Sequence, residues 1–317
     1  MRLTVIRPTN VYGRDPAPGC KMCKLPGILL PGRKRGGIMT QLQGKLVFIT
    51  GGSSGIGLET ACQLAANGCQ LVLFARKQAA LDEACRYIER QAANQGRAVP
   101  QVAAMTMDVA DNDGVQAVVK TAVETHGTPD IVVNCAGVGG ADFFENITYE
   151  TFDQVMRINV YGTRNTISAV LPFMKEKGGG HIVNLSSAAG LIGMFGYSLY
   201  CTSKYALVGL SECLRAELKR FNIGVTVVCP PEVDTPFIEE EAATLPPEGR
   251  AIKSLAGRLK PEYTAGTILR GIRRNKFFVI PGFAAKFLIF WHRISNGRLT
   301  RPPSDWIAAL VARRQKV

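Results

Sequence analysis

A glycine-rich turn between an apolar run and a helix constrains this chain more than any other feature. Residues 50–57 (TGGSSGIG) directly follow the apolar run 46–49 and open an amphipathic stretch. Glycines here let the backbone turn tightly and approach a pyrophosphate, which the N-terminus of the helix attracts with N–H groups and the positive end of its dipole. A tight turn alone is the simpler interpretation, but the position between strand and helix predicts a dinucleotide site. The expected contacts in this turn are Gly51, Ser53, Ser54, Gly55, Ile56 and Gly57.

Apolar runs and amphipathic stretches alternate along the middle of the chain. The runs lie at 71–74, 102–105, 131–133, 181–185, 225–228 and 277–280, with helical patterns between them, for example at 79–94 and 203–220. Continuous apolar runs fit strands that are buried on both faces of a parallel sheet. The alternation predicts one doubly wound α/β domain at 39–281. A Pro- and Gly-containing segment, predicted to be irregular or disordered, precedes it at 1–38, and a basic amphipathic extension follows at 282–317.

The basic charge is confined to the two ends of the chain. The net charge of +13 divides into +7 for residues 1–39, −7 for 40–249 and +13 for 250–317. Without a basic stripe on the body of the fold, nucleic acid is not an expected partner. The basic C-terminus fits either an anionic lipid surface or simple solubility.

The cysteines point to a reducing compartment. Nine cysteines are scattered without a paired framework, which suits the cytoplasm. Cys20 and Cys23 form a lone CxxC pair with no second pair to complete a zinc site, so no metal is expected. The apolar stretch 277–294 contains Pro281-Gly282 and two cations, and it is too short and too charged to span a membrane.

The residues after the second apolar run indicate which dinucleotide binds. An NAD enzyme usually has a carboxylate there for the ribose 2′-hydroxyl. Here Arg76 and Lys77 follow Phe74-Ala75, and no acid is present. Arg76 can neutralise a 2′-phosphate, so the sequence predicts NADP(H), although Arg76 could also be an ordinary solvated charge.

Tyr200 and Lys204 form the second candidate site. Four residues apart on a helix, the two side chains face the same way. An ammonium beside a phenol lowers the pKa of the phenol from about 10, which suits a general acid and base acting on a carbonyl or hydroxyl. Tyr197 and Tyr205 are rivals, but only Tyr200 has a lysine four residues later.

Together these motifs resemble the short-chain dehydrogenase/reductase superfamily over roughly residues 44–280. The glycine turn, Asn134-Cys135-Ala136-Gly137, Ser187 and the Tyr200–Lys204 pair occur in the family's order. The resemblance implies a single Rossmann-type domain with a seven-stranded parallel sheet, assembled as a homo-dimer or tetramer. Carried over position by position, it implies a catalytic tetrad of Asn159, Ser187, Tyr200 and Lys204, with Ser186 as the weaker choice of serine and with Asn159 holding a proton-relay water. It also implies cofactor contacts at Asp108 and Val109, which would end the third strand, and at Asn134, Ala136, Gly137, Tyr200, Lys204, Pro230, Val233 and Thr235.

A finer resemblance is to the 3-ketodihydrosphingosine reductase branch. It rests on residues 193–197 and on Pro230-Pro231, where most of the superfamily has Pro-Gly. The branch implies an NADPH-dependent ketoreductase that transfers hydride to 3-ketodihydrosphingosine, an apolar, lipid-like amino ketone of sphingolipid synthesis. Another lipid-like substrate, such as a steroid or a 3-oxoacyl thioester, stays open because a lid between Thr235 and Leu259 sets that choice. A non-enzymatic NADP-binding scaffold is the remaining alternative.

The C-terminal extension contains one wide apolar helical face. Lys286 and Arg293 lie on another face of the same predicted helix. The apolar face could pack on the body or on a second copy, or it could lie in a membrane surface and feed an apolar substrate to the site. The basic surroundings favour the membrane, so we expect a cytoplasmic protein, peripheral on the cytoplasmic face of a membrane. The apolar residues, continued by 306–311, are Phe283, Phe287, Phe290, Trp291 and Ile294.

The N-terminal segment carries a motif that belongs elsewhere. Residues 7–13 (RPTNVYG) are similar to a segment of extended, sugar-nucleotide epimerase-like members of the superfamily, where it lies downstream of their Tyr–Lys pair. No glycine turn or Tyr-x3-Lys precedes it here, so a second active site is not expected. Met39 begins a stretch that resembles an ordinary start of this fold, and residues 1–38 are predicted to be dispensable.

Overall fold

A parallel β-sheet forms the centre of the protein. The computed structural model describes residues 41–95, 101–238, 245–254 and 257–315, so the segment 1–38 and its CxxC pair lie outside the described residues. The sheet has seven strands in the order β3-β2-β1-β4-β5-β6-β7, and all neighbouring strands are parallel. The predicted seven-stranded, doubly wound sheet is confirmed. Its strands are β1 Leu46–Thr50, β2 Gln70–Ala75, β3 Val102–Thr106, β4 Ile131–Asn134, β5 Gly180–Leu185, β6 Ile223–Val228 and β7 Phe278–Val279.

Helices cover both faces of this sheet. Side chains alternate along β1, so Val47 and Ile49 face one apolar cluster while Leu46 and Phe48 face another. Both clusters are buried, which explains why the strands read as continuous apolar runs rather than alternating ones. The α-helices of the described residues are α1 Gly55–Ala65, α2 Gln78–Asn94, α3 Asn112–His126, α4 Tyr149–Met156, α5 Gly162–Lys177, α6 Ser198–Glu217, α7 Pro247–Ser254, α8 Pro261–Arg273, α9 Phe283–Ile294 and α10 Arg301–Gln315.

The start of the fourth strand is tied to the first at the amino edge of the sheet. Asp130 accepts hydrogen bonds from the backbone N–H of Leu46 at 3.0 Å and from the ammonium groups of Lys45 and Lys177 at 3.1 and 2.8 Å. Burial opposes ionisation of this carboxyl, but the three donors outweigh it and lower the pKa of Asp130. This edge is opposite to the one where a ligand can bind.

The end of the third strand differs from the prediction. β3 ends at Thr106, so the expectation that Asp108 and Val109 end this strand is wrong. The carboxylate of Asp108 accepts a hydrogen bond from the N–H of Ala110 at 2.9 Å, a local turn that competes with continued strand pairing. Both residues therefore lie in the loop that leads to α3.

A π-helical turn joins α4 to α5. It spans Arg157–Tyr161, and the N–H of Gly162 bonds to the carbonyl of Arg157. Such turns hold one residue more than an α-helical turn and often occur at functional sites. Asn159 lies inside it and is fully buried.

The strand order places a crevice at the carboxyl edge of the sheet. β1 pairs with β2 on one side and β4 on the other, so the chain direction across the sheet reverses there. In open parallel sheets, ligands bind at such a switch point. The glycine turn follows β1, and the segments that begin at Cys135, Ser186 and Cys229 follow β4, β5 and β6 at the same edge.

Candidate active site

The glycine turn is compressed against the segment that follows β4. Gly51 has a φ of +66°, and a Cβ there would lie 2.7 Å from the backbone nitrogen of Ala136. A Cβ on Gly57 would collide with the carbonyl oxygen of Gly51. Both positions therefore require glycine, one for its conformation and both for space. Ser54 makes no side-chain capping bond to α1, so its hydroxyl does not satisfy the first N–H groups of that helix.

A cleft opens between this turn and the ends of β2 and β3. Its predicted lining residues are Gly51, Ser53, Arg76, Lys77, Asp108, Val109, Ala136 and Gly137. Six further lining residues were not predicted: Phe74, Ala75, Ala80, Met107, Val138 and Ile158. All six are apolar, and their residue types carry no recognisable binding chemistry. The cleft thus combines an apolar wall with cations, which fits the ring and phosphates of a nucleotide.

The two cations lie where the sequence analysis placed them. Arg76 and Lys77 directly follow β2, are exposed, and line the cleft beside Ala80. Neither forms an ion pair with another described residue. Their charges are therefore available to an anion in this cleft.

The segment after β6 lies against the start of α1. Thr235 approaches Gly55 so closely that a Cβ on the glycine would lie 3.4 Å from the threonine methyl. Val233 is buried and pairs with Leu259 through an isolated parallel bridge. Pro230 is buried, and its carbonyl accepts a bond from the N–H of Ala188 at 2.8 Å. Three predicted cofactor positions therefore lie along one segment, with Thr235 against the glycine turn.

Ten predicted cofactor positions do not line this cleft: Ser54, Gly55, Ile56, Gly57, Asn134, Tyr200, Lys204, Pro230, Val233 and Thr235. The amide of Asn134 is buried and donates to Asn184 Oδ1 at 2.8 Å, and Asn184 in turn donates to Ser211 Oγ at 2.9 Å. This side chain ties β4 to β5 and α6 because the strand end faces the sheet interior. Ile56 packs partly on the apolar core beneath α1.

Tyr200 and Lys204 share one face of α6. The ammonium of Lys204 lies 5.4 Å from the centre of the Tyr200 ring and donates to the carbonyl of Leu185 at 3.1 Å. Lys204 is buried, whereas Tyr200 is half-buried. The rival Tyr197 is buried in a cluster with Ala141 and Leu245, and Tyr205 is exposed.

The π-helical turn brings Asn159 to the same place. Its Oδ1 accepts from the N–H of Val138 at 2.8 Å, and its Nδ2 donates to the carbonyl of Val138 at 2.9 Å and to Ser203 Oγ at 3.0 Å. Ser203 Oγ donates to the carbonyl of Tyr200 at 2.8 Å. A Cβ on Gly137 would lie 3.1 Å from Asn159 Oδ1 and 3.4 Å from Lys204 Nζ. Asn159 and Lys204 therefore converge over Gly137, and only glycine leaves room for a ligand there.

The two neighbouring serines have different surroundings. Ser186 is buried and its hydroxyl donates to the carbonyl of Lys204 at 2.8 Å. Ser187 is partly exposed, accepts from the N–H of Ala189 at 3.1 Å, and donates over a long 3.4 Å to the carbonyl of Pro230. A long bond is weak, so the hydroxyl of Ser187 is the one that a substrate oxygen can recruit.

Two aromatic rings lie beside Tyr200, that of Phe237 at 5.9 Å and that of Tyr197 at 6.2 Å between ring centres. Phe143 and Phe195 pack edge to face with each other at 5.9 Å. The N–H of Asp142 donates to the carbonyl of Gly196 at 2.9 Å, which joins the loops carrying these rings. The predicted lid between Thr235 and Leu259 includes α7, while its residues 239–244 and 255–256 lie outside the described residues. The walls near Tyr200 are thus apolar, a feature that loop sequences did not reveal.

The fold and this arrangement define a class of protein. The model of the short chain dehydrogenase family matches residues 45–245. The chain belongs to this family, and it is an oxidoreductase with a nicotinamide dinucleotide site. The glycines fit such a cofactor, because Gly51 and Gly57 permit the compact turn and a side chain on Gly137 would crowd Asn159 Oδ1 and Lys204 Nζ.

Particular relatives narrow the comparison. The chain is 39% identical over 238 residues to a 3-dehydrosphinganine reductase of Danio rerio, covering 75% of this chain and 71% of the relative. It is 39% identical over 237 residues to a 3-ketodihydrosphingosine reductase of Bos taurus, covering 74% and 70%. A short-chain dehydrogenase/reductase from Burkholderia phymatum in complex with NAD superposes with a TM-score of 0.71 at 26% identity, covering 80% of this chain and 95% of the other. L-Sorbose reductase from Gluconobacter frateurii, complexed with NADPH and L-sorbose, superposes with a TM-score of 0.67 at 27% identity, covering 77% and 99%.

Proposed function

We propose that this protein reduces the 3-keto group of 3-ketodihydrosphingosine to the alcohol, with NADPH as the reductant. The observation that carries the chemistry is the convergence of Lys204 and Asn159 over Gly137, beside Tyr200. The relatives named for this reaction and the aromatic walls near Tyr200 support the apolar amino ketone as substrate.

Each member of the tetrad has a distinct role in the proposed reaction. When bound, the nicotinamide supplies the hydride. The hydroxyl of Ser187 polarises the ketone by donating to its oxygen, and the phenol of Tyr200 donates a proton to the same oxygen. The nearby ammonium of Lys204 stabilises the phenolate that remains, by Coulomb attraction, and would also hydrogen-bond the nicotinamide ribose.

Asn159 acts mainly by positioning the residues around it. Both hydrogens of its side-chain amide are donated within the protein, to Val138 and Ser203. Any water in a proton relay would therefore be held by a backbone carbonyl of the π-helical turn rather than by this amide nitrogen. The side chain fixes that turn beneath Gly137 and, through Ser203, the backbone of Tyr200.

NADPH is favoured over NADH by the cations after β2. Arg76 can form charge-assisted hydrogen bonds to a 2′-phosphate, and Lys77 adds a second positive charge in the cleft. No carboxylate occupies the position where an acid would hold a ribose hydroxyl.

The assembly and location follow as further parts of the proposal. Residues 39–281 would form the catalytic domain of a cytoplasmic homo-dimer or tetramer, assembled through the helices that carry Asn159 and Tyr200. Exposed Tyr149 and Tyr161 on the first of these helical segments support that contact. The extension at 282–317 would bring the enzyme to the cytoplasmic face of a membrane.

The reaction can be tested by replacing single phenols on α6. Tyr200→Phe should lower kcat at least about a hundredfold, because general acid catalysis is lost. Tyr205→Phe is the matched control, one turn further and exposed, and should retain wild-type turnover. Turnover is measured as loss of NADPH absorbance with 3-ketodihydrosphingosine in detergent micelles. Robust turnover by Tyr200→Phe would refute the proposed mechanism. Activity of the wild type on short ketones only would refute the proposed sphingoid substrate.

The cofactor preference has its own test. Arg76→Ala should raise KM for NADPH about tenfold or more and leave KM for NADH unchanged, since one charge-assisted pair to phosphate is lost. Arg90→Ala, an exposed cation on α2, is the control. Equal losses with both cofactors would contradict 2′-phosphate recognition by Arg76.

A further inference from the structure

Helix α9 turns its large apolar side chains away from the protein. Among its residues only Ile289 is buried, in a cluster with Leu191 and Val208. We call the outward side chains the α9 aromatic face. They are Phe283, 81% exposed, Phe287, 55%, Phe290, 54%, Trp291, 39%, and Ile294, 64%.

These rings form one continuous ridge. Phe283 stacks on Phe287 at 6.3 Å, Phe287 meets Trp291 edge to face at 6.0 Å, and Trp291 meets Phe290 at 5.7 Å. The helix is anchored on the body by Ile289, so the ridge is a fixed surface rather than a loose segment. Soluble proteins rarely leave contiguous apolar patches without a partner, and here the body does not cover it.

The sequence on both sides of α9 is basic, which favours an anionic partner. From 263 to 304 the sequence has no acidic residue, while Lys276, Lys286, Arg293, Arg298 and Arg301 are all basic. A second copy docked by two-fold symmetry would bring the same cations against one another. Anionic lipid headgroups instead complement the cations while the acyl region receives the rings. No helix of the described residues is long and apolar enough to cross a membrane, so α9 would lie in the plane of the interface.

The ridge begins beside the segment that controls the site. α9 follows β7 at the carboxyl edge of the sheet, and its N-cap Gly282 packs so that a Cβ would lie 3.4 Å from Leu259. Leu259 donates its N–H to the carbonyl of Glu232 at 2.9 Å and accepts from the N–H of Asp234 at 2.9 Å. Gly282 at the start of α9 therefore contacts Leu259, and Leu259 is hydrogen-bonded to the segment that holds Val233 and Thr235.

We propose that the α9 aromatic face inserts into the surface of an anionic bilayer and that the lipid-like substrate enters the site from that bilayer. The first part rests on the exposed face and its charge. The second part rests on the proposed function and on the position of α9 beside the lid.

Insertion can be followed with a tryptophan of the protein itself. The chain has two tryptophans, so Trp306→Phe leaves Trp291 in the ridge as the single reporter. With vesicles of phosphatidylcholine and phosphatidylglycerol, the emission of Trp291 should shift to the blue and be quenched by lipids brominated on the acyl chain. Co-sedimentation with these vesicles should exceed that with pure phosphatidylcholine at least tenfold.

Two variants separate the ridge from other exposed rings. Phe283→Ser with Phe287→Ser should lower vesicle binding at least tenfold, while Tyr263→Ser, an exposed ring on α8, should leave it unchanged. On 3-ketodihydrosphingosine in vesicles the double variant should lose most activity. On the same substrate in detergent micelles it should equal the wild type.

The outcomes distinguish the two proposals. Unquenched Trp291, binding independent of anionic lipid, or a dimer that the double variant splits without any vesicle binding would each overturn docking to the membrane. Equal activity of the double variant in vesicles and micelles would overturn entry of substrate from the bilayer. A wild type that docks and quenches but reduces no sphingoid ketone would refute the proposed function and leave the docking surface intact.

Discussion

Protonation of His181 should govern the stability of this fold in mild acid. His181 lies in β5, 5% exposed, and its Nε2 is 2.8 Å from Thr226 Oγ1 on β6. Thr226 donates its own proton to the carbonyl of Lys276 at 2.7 Å, so it accepts from His181, and Nε2 carries the hydrogen. The remaining site for a proton is Nδ1, which lies so close to Gly224 that a Cβ there would come within 2.8 Å of it and within 2.6 Å of Asn275 Oδ1. Burial lowers the pKa of His181 to about 4.

The sign and size of the effect follow from the two pKa values. In the unfolded chain histidine has a pKa of about 6.5. Between about pH 6.5 and 4, His181 is therefore protonated in the unfolded state and neutral in the folded state. Stability is therefore fully present above this window and is lost as the pH falls through it. From pH 7.5 to pH 4.5 the loss from this one group is about 2.5 kcal/mol. Asp130 adds little in this range, because its stabilisation is lost mainly as the pH falls through the unfolded-state pKa of about 3.9 towards the lower pKa of the folded state.

Urea unfolding at four pH values between 4.5 and 7.5 measures this loss. His181→Gln can still donate to Thr226 but cannot titrate, so its free energy of unfolding should fall by about 2.5 kcal/mol less than that of the wild type over this range. His126→Gln, at an exposed position, is the control and should follow the wild type. If the wild-type and His181→Gln curves stay parallel to within about 0.5 kcal/mol, burial of a neutral histidine is not what sets the acid stability.

Three further changes test other parts of the molecule. Gly57→Ala should weaken NADPH binding at least tenfold in a fluorescence titration, because its Cβ collides with Gly51, whereas Gly209→Ala, with open space on α6, should keep binding and add up to about 1 kcal/mol of stability. Equal affinities in the two variants would argue against the steric cradle. Phe237→Ala should raise KM for a long-chain ketone but not for a short one, and a uniform change for both would remove this ring from the substrate site. Asp130→Asn should lower the free energy of unfolding by about 1 to 3 kcal/mol in a thermal melt, and an unchanged melting temperature would show that its bonds contribute little.

The strands and the main motifs could be predicted because each has a local signature. Strands buried on both faces read as continuous apolar runs, and all seven were found within a few residues of their observed bounds. The Tyr200–Lys204 pair needs only helical spacing, and the structure places both on one face of α6.

The parts that escaped prediction depend on contacts distant in sequence. The residues around Asn159 do not indicate a π-helical turn. The turn is stabilised by hydrogen bonds of the Asn159 side chain to Val138 and Ser203, which are distant in sequence. Asn134 matched a motif, but its burial against Asn184 depends on the neighbouring strand. For the same reason, the sequence left open whether the α9 aromatic face packs on the body or faces outward. Periodicity shows that an apolar face exists, but only the packing of Ile289 shows which side of the helix lies against the body.

The bridge between Val233 and Leu259 has a consequence for how such a protein can change over generations. It joins the two ends of the lid segment, and within that segment Phe237 lies on Tyr200 and Leu245 packs in the cluster of Tyr197. Doubling the length of a flexible loop costs only about 0.6 kcal/mol in closure entropy. Insertions or deletions between these contacts should therefore leave the hydride-transfer residues in place. The part of the chain that recognises substrate can therefore change during evolution while the cofactor site stays the same.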